Sequence, residues 1–126
     1  MMNKILLVED HDDIRNVLTI ALTQRGYEVD AHADGESALE SIKSSWPEIA
    51  IIDSGLPGVS GLELGRVIDG QTGDRNRVLK VLFTGTDSQA IREESHMAGF
   101  DLFASKPISI DNFCEELSQL SRESPE

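Results

Sequence analysis

Apolar and polar residues are grouped along the chain in a way that predicts a regular succession of strands and helices. Short apolar runs rich in β-branched residues, bounded by polar and turn residues, are typical of strands buried on both faces. Longer blocks with apolar residues three and four positions apart are typical of amphipathic helices. The predicted strands are Lys4–Val8, Tyr27–His32, Ile49–Ile52, Val78–Phe83 and Asp101–Ser105. The helix that follows each strand is expected around residues 13–25, 38–42, 62–68, 88–97 and 110–120.

Five strands that alternate with five helices predict an α/β fold in which a parallel sheet is joined by right-handed crossovers. Periodicity does not determine the order of the strands. Doubly wound sheets of this size commonly have the order 2-1-3-4-5, with helices on both faces. We therefore expect a flavodoxin-like sheet of that order. Ligands of such sheets bind beyond the carboxyl ends of the strands, and the residues at those ends are the candidates for function.

Polar residues follow four of the predicted strands. Glu9 and Asp10 follow the first, Asp53 the third, Thr84 the fourth and Lys106 the fifth. Carboxylates that are packed together repel one another, and a divalent cation such as Mg²⁺ relieves the repulsion. A lysine and a hydroxyl beside the metal are the donors that a phosphoryl group requires. Asp53 by itself could be a metal ligand, a nucleophile or a cap for the Gly/Pro turn that follows it.

Composition restricts the alternatives. The chain has 126 residues, within the range of one domain, and we expect the domain to span residues 1–122 with a frayed tail at 123–126. The formal net charge of −12 argues against a surface for nucleic acids or anionic membranes. A single cysteine, Cys114, fits a reducing compartment and reads as a small core residue. With no targeting signal or long apolar span visible, the expected location is the cytoplasm.

Several motifs, each weak alone, occur together in this chain in a characteristic order. They are Leu7-Val8-Glu9-Asp10, Asp53 followed by Leu56-Pro57-Gly58 and Gly61, Thr84-Gly85, Phe103, and Lys106-Pro107. With these motifs the chain resembles the receiver domain of two-component response regulators, from Lys4 to about Leu120.

The resemblance implies a site for phosphoryl transfer. Asp53 would be the nucleophile that takes a phosphoryl group from a phosphohistidine, on a sensor histidine kinase or a histidine phosphotransfer protein. Mg²⁺, for which Mn²⁺ can substitute, would be bound directly by Asp10, Asp53 and the backbone carbonyl of Gly55. Glu9 would hold the metal through water. The protein would be a signalling phosphoacceptor rather than an enzyme, with only self-directed phosphotransfer and autodephosphorylation.

The resemblance also implies a switch. Lys106 would pair with Asp53 and then with a phosphoryl oxygen, and the Lys106–Pro107 peptide bond would be cis. The Thr84 hydroxyl would donate to another phosphoryl oxygen, and Phe103 would rotate into the space left behind. The change would reach the face formed by the fourth helix, fifth strand and fifth helix. An output protein of unknown identity, or a second copy of the phosphorylated chain, would bind there.

Other interpretations remain open at this point. Asp10 and Asp53 could be loop caps, Phe103 could be a core aromatic, and His11 reads as exposed rather than as a ligand. A phosphorylation-independent pseudo-receiver is the main functional alternative. A Mg²⁺-dependent phosphatase is disfavoured because Gly55 stands where that class has a second acid. A flavodoxin-like FMN carrier is disfavoured because Glu9-Asp10 would repel the phosphate of the flavin nucleotide. The Met1 start favours a stand-alone regulator or an N-terminal fragment.

Overall fold

The computed structural model describes residues 4–56, 58–72, 78–85, 88–105 and 110–123. Its strands are β1 (Lys4–Val8), β2 (Glu28–His32), β3 (Ile49–Asp53), β4 (Leu79–Thr84) and β5 (Leu102–Ser105). Its helices are α1 (Asp12–Gln24), α2 (Gly35–Ile42), α3 (Gly61–Thr72), α4 (Gln89–Met97) and α5 (Ile110–Glu123). Strands and helices alternate as the sequence predicts.

The five strands form one parallel sheet in the order β2-β1-β3-β4-β5. The predicted fold class and strand order are therefore confirmed. In the register of the central strands, Val8 lies beside Ile52, and Asp53 lies beside Phe83. The carboxyl ends of β1, β3 and β4 are consequently level, and the residues that end these strands are brought to one edge of the sheet.

The sheet has a separate hydrophobic core on each face. Because successive side chains of a strand point to opposite faces, Ile49 and Ile51 enter one core, and Ala50 and Ile52 enter the other. Helices α1 and α5 cover the first core with Leu18, Leu22, Phe113, Cys114 and Leu117. Helices α2 and α3 cover the second with Ala38, Ile42, Leu64 and Ile68. Cys114 is thus a core residue, as predicted, and burial raises the pKa of its thiol.

A lysine side chain is buried within the sheet. Lys80, in the middle of β4, is 1% exposed, and its ammonium donates to Asp69 Oδ1 at 2.5 Å and to the Val78 carbonyl at 3.3 Å. A buried charge requires such partners. Gly99 leaves room for the Asp69 carboxylate, which a side chain at that position would strike, and its φ of 88° suits glycine. The buried lysine therefore fastens α3 to the sheet.

The observed elements differ from the predicted ones mainly at their ends. Strands β2, β4 and β5 begin one residue later than predicted, while β3 and β4 include Asp53 and Thr84. His11 occupies the N-cap of α1 without a capping hydrogen bond from its side chain, and Asp12 and Asp13 follow it. Both aspartates lie in the first turn, where carboxylates stabilise the positive end of the helix dipole.

The longer connections also differ. Helix α3 continues to Thr72, four residues beyond the predicted end at residue 68. Residues 73–77 lie outside the described residues. Helix α5 reaches Glu123. Residues 124–126 of the predicted tail lie outside the described residues, so the domain boundary stays a prediction. Among the described helices, none has both the length and the apolar character that a bilayer span requires.

Candidate functional site

Four side chains meet at the carboxyl ends of β1 and β3. Glu9, Asp10, His11 and Asp53 each offer one potential ligand atom, and these atoms all lie within 4.8 Å of one another. Glu9 is completely buried and Asp53 is 5% exposed, whereas Asp10 is half-buried. The three carboxylates that the sequence assigns to strand ends therefore lie together, because β1 and β3 are neighbours in a parallel sheet.

Contacts with neighbouring elements hold Glu9 in place. Its backbone N–H donates to the carbonyl of His32 on β2 at 3.0 Å. Its own carbonyl accepts a hydrogen bond from Arg15 Nη1 of α1 at 2.9 Å. Its carboxylate oxygen Oε2 accepts from the backbone N–H of His11 at 3.1 Å. Helix α1 and strand β2 thus fix the position of this buried carboxylate.

The turn after β3 fixes Asp53. The N–H of Gly55 donates to Asp53 Oδ1 at 3.1 Å. Gly61, the first residue of α3, packs so closely that a Cβ there would lie 2.9 Å from the carbonyl carbon of Asp53 and from Cα of Ser54. Real Cβ atoms do not approach backbone atoms at such distances. The glycine that ends the Asp53 motif is therefore needed to let α3 start against the loop that follows Asp53.

The cluster fits a hard divalent cation. Oδ1 of Asp10 is shielded from solvent and accepts no hydrogen bond from the residues that the structure describes. Burial raises the pKa of Asp10. Hydrogen bonding with Asp53 and the charge of His11 lower it by a larger amount, so the pKa lies below its ordinary value. Asp10 is therefore ionised near neutral pH, as a metal ligand must be. Carboxylate oxygens suit Mg²⁺ and Mn²⁺.

His11 is a member of this cluster to which the sequence assigned no role. Its side chain is exposed, as expected, yet Nδ1 lies 3.4 Å from Glu9 Oε2 and 3.5 Å from Asp10 Oδ1. A histidine directly after two acidic residues at a strand end is the only signal for this contact in the sequence.

A pair of hydroxyls meets where β3 and β4 end. Thr84, the last residue of β4, is 1% exposed. The hydroxyl of Ser54 donates to Thr84 Oγ1 at 2.6 Å. The sequence motifs assign no role to Ser54. The β3–β4 register, which is not readable from periodicity, is what brings the two hydroxyls together.

Phe103 has the contacts that its interpretation as a core aromatic predicts. Its half-buried ring packs against the second core, and Phe103 lies beside Leu82 of β4. The guanidinium of Arg92 on α4 lies 4.4 Å from the centre of the ring, within the range of a cation–π contact. Phe103 therefore joins β5 to α4 on the face that the resemblance assigns to output. Whether it rotates stays a prediction.

The predicted roles of Lys106 and Pro107 concern residues outside the described ranges. The cis peptide bond and the pairing of Lys106 with Asp53 therefore remain predictions. Of the other predicted site residues, Glu9, Asp10 and Asp53 converge, and Thr84 ends the strand next to β3. Gly55 is in contact with the Asp53 carboxylate through its N–H.

Comparison with known proteins gives consistent matches along nearly the whole chain. A family model of the response regulator receiver domain matches residues 5–118. The transcriptional regulatory protein KdpE of Mycobacterium tuberculosis is 34% identical over 116 residues, which cover 92% of this chain and 50% of KdpE. The two-component response regulator PhoP of Pseudomonas aeruginosa is 35% identical over 121 residues, covering 96% and 52%. The chain thus spans about half the length of the curated relatives it matches.

Solved structures match over the same extent. A CheY-like receiver domain protein from Methanospirillum hungatei JF-1 superposes with a TM-score of 0.89 at 27% identity, covering 98% of this chain and 96% of that protein. The chemotaxis protein CheY4 of Vibrio cholerae superposes with a TM-score of 0.88 at 25% identity, covering 94% and 98%.

Proposed function

Because the chain belongs to the response regulator receiver domain family, we propose that it accepts a phosphoryl group at Asp53 and thereby changes a protein-binding surface. The observation that carries this proposal is the convergence of Glu9, Asp10 and Asp53, whose ligand atoms lie within 4.8 Å of one another. Asp53 is far from Glu9 and Asp10 in the sequence, and a common chemical task explains why the three carboxylates lie together.

The donor is a phosphohistidine on a sensor histidine kinase or a histidine phosphotransfer protein. A carboxylate oxygen of Asp53 attacks the phosphorus, a P–O bond forms, and the P–N bond to the imidazole breaks. The departing imidazole takes up a proton from solvent, and the product is an acyl phosphate. Apart from the Asp53 nucleophile, the chain contributes position and charge neutralisation. Asp53 is suited to this task because the Gly55 N–H orients its carboxylate.

Mg²⁺ or Mn²⁺, when bound, would neutralise charge on the phosphoryl oxygens. Asp10 and Asp53 would bind the metal directly with the Gly55 carbonyl, and Glu9 would act through water. Oδ1 of Asp10 supports this assignment because it is shielded from solvent and accepts no hydrogen bond from the described residues. Glu9, which is anchored by β2 and α1, supplies negative charge from a fixed position.

Thr84 and Lys106 would complete the site by donating hydrogen bonds to the phosphoryl oxygens. The inward shift of Thr84 would be followed by Phe103 and would alter the surface of α4, β5 and α5. Arg92, which lies over the Phe103 ring, is placed to transmit that change to α4. The output protein binds this surface, either as a separate partner or as a second copy of the phosphorylated chain. We assign the protein to the cytoplasm, where such kinases act.

Two other functions make different predictions. A small-molecule phosphatase would turn over a phosphoester repeatedly, and the chain has Gly55 in place of the second acid that such enzymes use. A pseudo-receiver would bind its partner without modification. It would leave the mass of the protein unchanged in the presence of a phosphodonor.

The test is intact-mass measurement after incubation with acetyl phosphate, with Mg²⁺ or with EDTA. We expect wild-type protein to gain one phosphoryl group with Mg²⁺ and none with EDTA, and Asp53→Asn to gain none under either condition. Asp13→Asn is the matched control, because it removes an exposed carboxylate from the first turn of α1 outside the cluster. It should be phosphorylated like the wild type. Unmodified wild-type protein, or phosphorylated Asp53→Asn, would overturn the proposal.

A further inference from the structure

The hydrogen bond between Ser54 and Thr84 connects the loop that carries the phosphoacceptor to the end of the neighbouring strand. At 2.6 Å between the hydroxyl oxygens, it is a short contact, and Thr84 is almost completely buried. The backbone supports it, because the N–H of Ser54 donates to the carbonyl of Phe83 at 3.2 Å. The Ser54 hydroxyl is therefore held next to Thr84 rather than meeting it by chance on a mobile side chain.

The pleat of the sheet decides which side this contact occupies. Asp53 and Phe83 are partners in the β3–β4 register and share one face of the sheet. Thr84 follows Phe83 and lies on the opposite face, with Leu82. Since the Ser54 hydroxyl reaches Thr84 Oγ1, the contact lies on the face of Thr84, away from the side chain of Asp53.

We propose that Ser54 is a positioning residue whose hydroxyl retains the Thr84 side chain away from Asp53, and that phosphorylation of Asp53 must displace this hydrogen bond. The inference rests on the proposed function, in which Thr84 moves to donate to a phosphoryl oxygen. It adds a residue that sets how readily Thr84 moves. The Ser54 hydroxyl would thus slow the movement of Thr84 that accompanies phosphorylation.

The size of the effect follows from the strength of one hydrogen bond. An ordinary intramolecular hydrogen bond shifts a two-state equilibrium by roughly two- to tenfold. The apparent rate of phosphorylation scales with the fraction of molecules in the reactive arrangement. Ser54→Ala should therefore raise the rate of phosphorylation by acetyl phosphate by roughly two- to tenfold.

The first arm of the test does not depend on phosphorylation. The χ1 rotamer of Thr84 is measured by three-bond NMR couplings to its methyl carbon in the unphosphorylated full chain. We expect one rotamer in the wild type and averaged couplings in Ser54→Ala. Ser41→Ala is the matched control, since it removes a part-buried serine hydrogen bond, to Asp30 on β2, away from Thr84. Couplings in Ser54→Ala that equal those of the wild type would overturn the proposal.

The second arm is a double-mutant cycle on the rate of phosphorylation. If Ser54 acts through the Thr84 hydroxyl, Ser54→Ala accelerates the reaction in the wild-type background and has no effect in a Thr84→Val background. Acceleration of the same size in both backgrounds, or a Ser54→Ala rate at or below the wild-type rate, would contradict the proposal. If no variant is phosphorylated at all, the proposed function fails, and the NMR arm alone decides the role of Ser54.

Discussion

At the scale of single residues, the site depends on close approach of backbones as much as on its carboxylates. Gly61 is the clearest case, because the backbone of Asp53 and Ser54 occupies the space that a Cβ would need. The prediction is that Gly61→Ala lowers the free energy of unfolding by about 1–3 kcal/mol, as overpacking does. It should also slow phosphorylation, because the loop that carries Asp53 is displaced.

Gly70 provides the control within the same helix. Apart from the chain neighbours and the backbone of the same helix, no described atom lies within 4 Å of a Cβ built there, so Gly70→Ala should be neutral or stabilise α3 by up to about 1 kcal/mol. Chemical denaturation of both variants measures the difference. Equal stabilities for Gly61→Ala and Gly70→Ala would refute the packing argument.

A second residue-scale prediction concerns pH. Burial raises the pKa of Asp30, but hydrogen bonds from Ser41 and His32 lower it by more, so the pKa lies below its ordinary value. The Ser41 hydroxyl donates to Asp30 Oδ2 at 2.5 Å, and His32 Nε2 lies 2.9 Å from Oδ1. A carboxylate whose pKa is lowered by folding stabilises the fold above its unfolded pKa, and this contribution is lost as the pH falls through the folded pKa.

Ser41→Ala should therefore raise the pKa of Asp30 towards its ordinary value and reduce the stability of the protein at neutral pH. The stability difference from the wild type should narrow as the pH falls from about 5 to about 3. NMR titration of the Asp30 carboxyl carbon, together with denaturation at each pH, measures both effects. A difference that widens on acidification would have the wrong sign for this mechanism.

Residue types at strand ends were sufficient to predict the acidic cluster. Glu9, Asp10 and Asp53 each follow an apolar run, and parallel strands place such positions at one edge. The Ser54–Thr84 hydrogen bond was not predictable in the same way, because it depends on the register of two strands and on one side-chain rotamer. The position of His11 against the carboxylates likewise depends on how α1 begins.

At the scale of elements, the fourth helix is the least anchored. Ser95 is the residue of α4 that is buried, whereas α1 buries Leu18 and Leu22 and every residue of β3 is buried. Local opening costs little free energy where few apolar contacts must be broken. The sequence indicated this weakness, because apolar residues are sparse between positions 89 and 97.

We expect the backbone amides of α4 to exchange with deuterium at least about tenfold faster than those of β3. Hydrogen exchange followed by NMR or mass spectrometry tests this in the unphosphorylated protein. Ser88 caps α4 by accepting a hydrogen bond from the Ile91 N–H at 3.3 Å, so Ser88→Ala should increase the difference. Protection of α4 equal to that of β3 would show that the helix is held by contacts beyond those described.

Element ends were predicted less well than element identities, for a physical reason. Apolar runs define the buried middle of a strand, but backbone pairing with a neighbour decides where the strand stops, and β3 and β4 both extend to a polar residue. Lys80 lies in the middle of a predicted strand, but its interaction partner was not predicted. A lysine within a predicted core strand gives no sign of its partner, and only the packing of α3 brings Asp69 to it.

At the scale of the whole molecule, the order of the strands brings the site residues together. The order β2-β1-β3-β4-β5 places β3 between β1 and β4, so that Asp53 has the acidic pair on one side and Thr84 on the other. Alternation of strands and helices predicted the class of fold, and a common strand order for such sheets supplied the rest. The formal charge of −12 adds a general attraction for cations but does not select this edge of the sheet.

The most direct measurement of the central claim is a crystal structure of the protein with Mg²⁺ and beryllofluoride, which mimics an acyl phosphate. The account predicts beryllofluoride on the carboxylate of Asp53, with Mg²⁺ beside it, bound by Asp10 and Asp53. Beryllofluoride on another carboxylate, or Mg²⁺ bound away from the edge where β1 and β3 end, would contradict it.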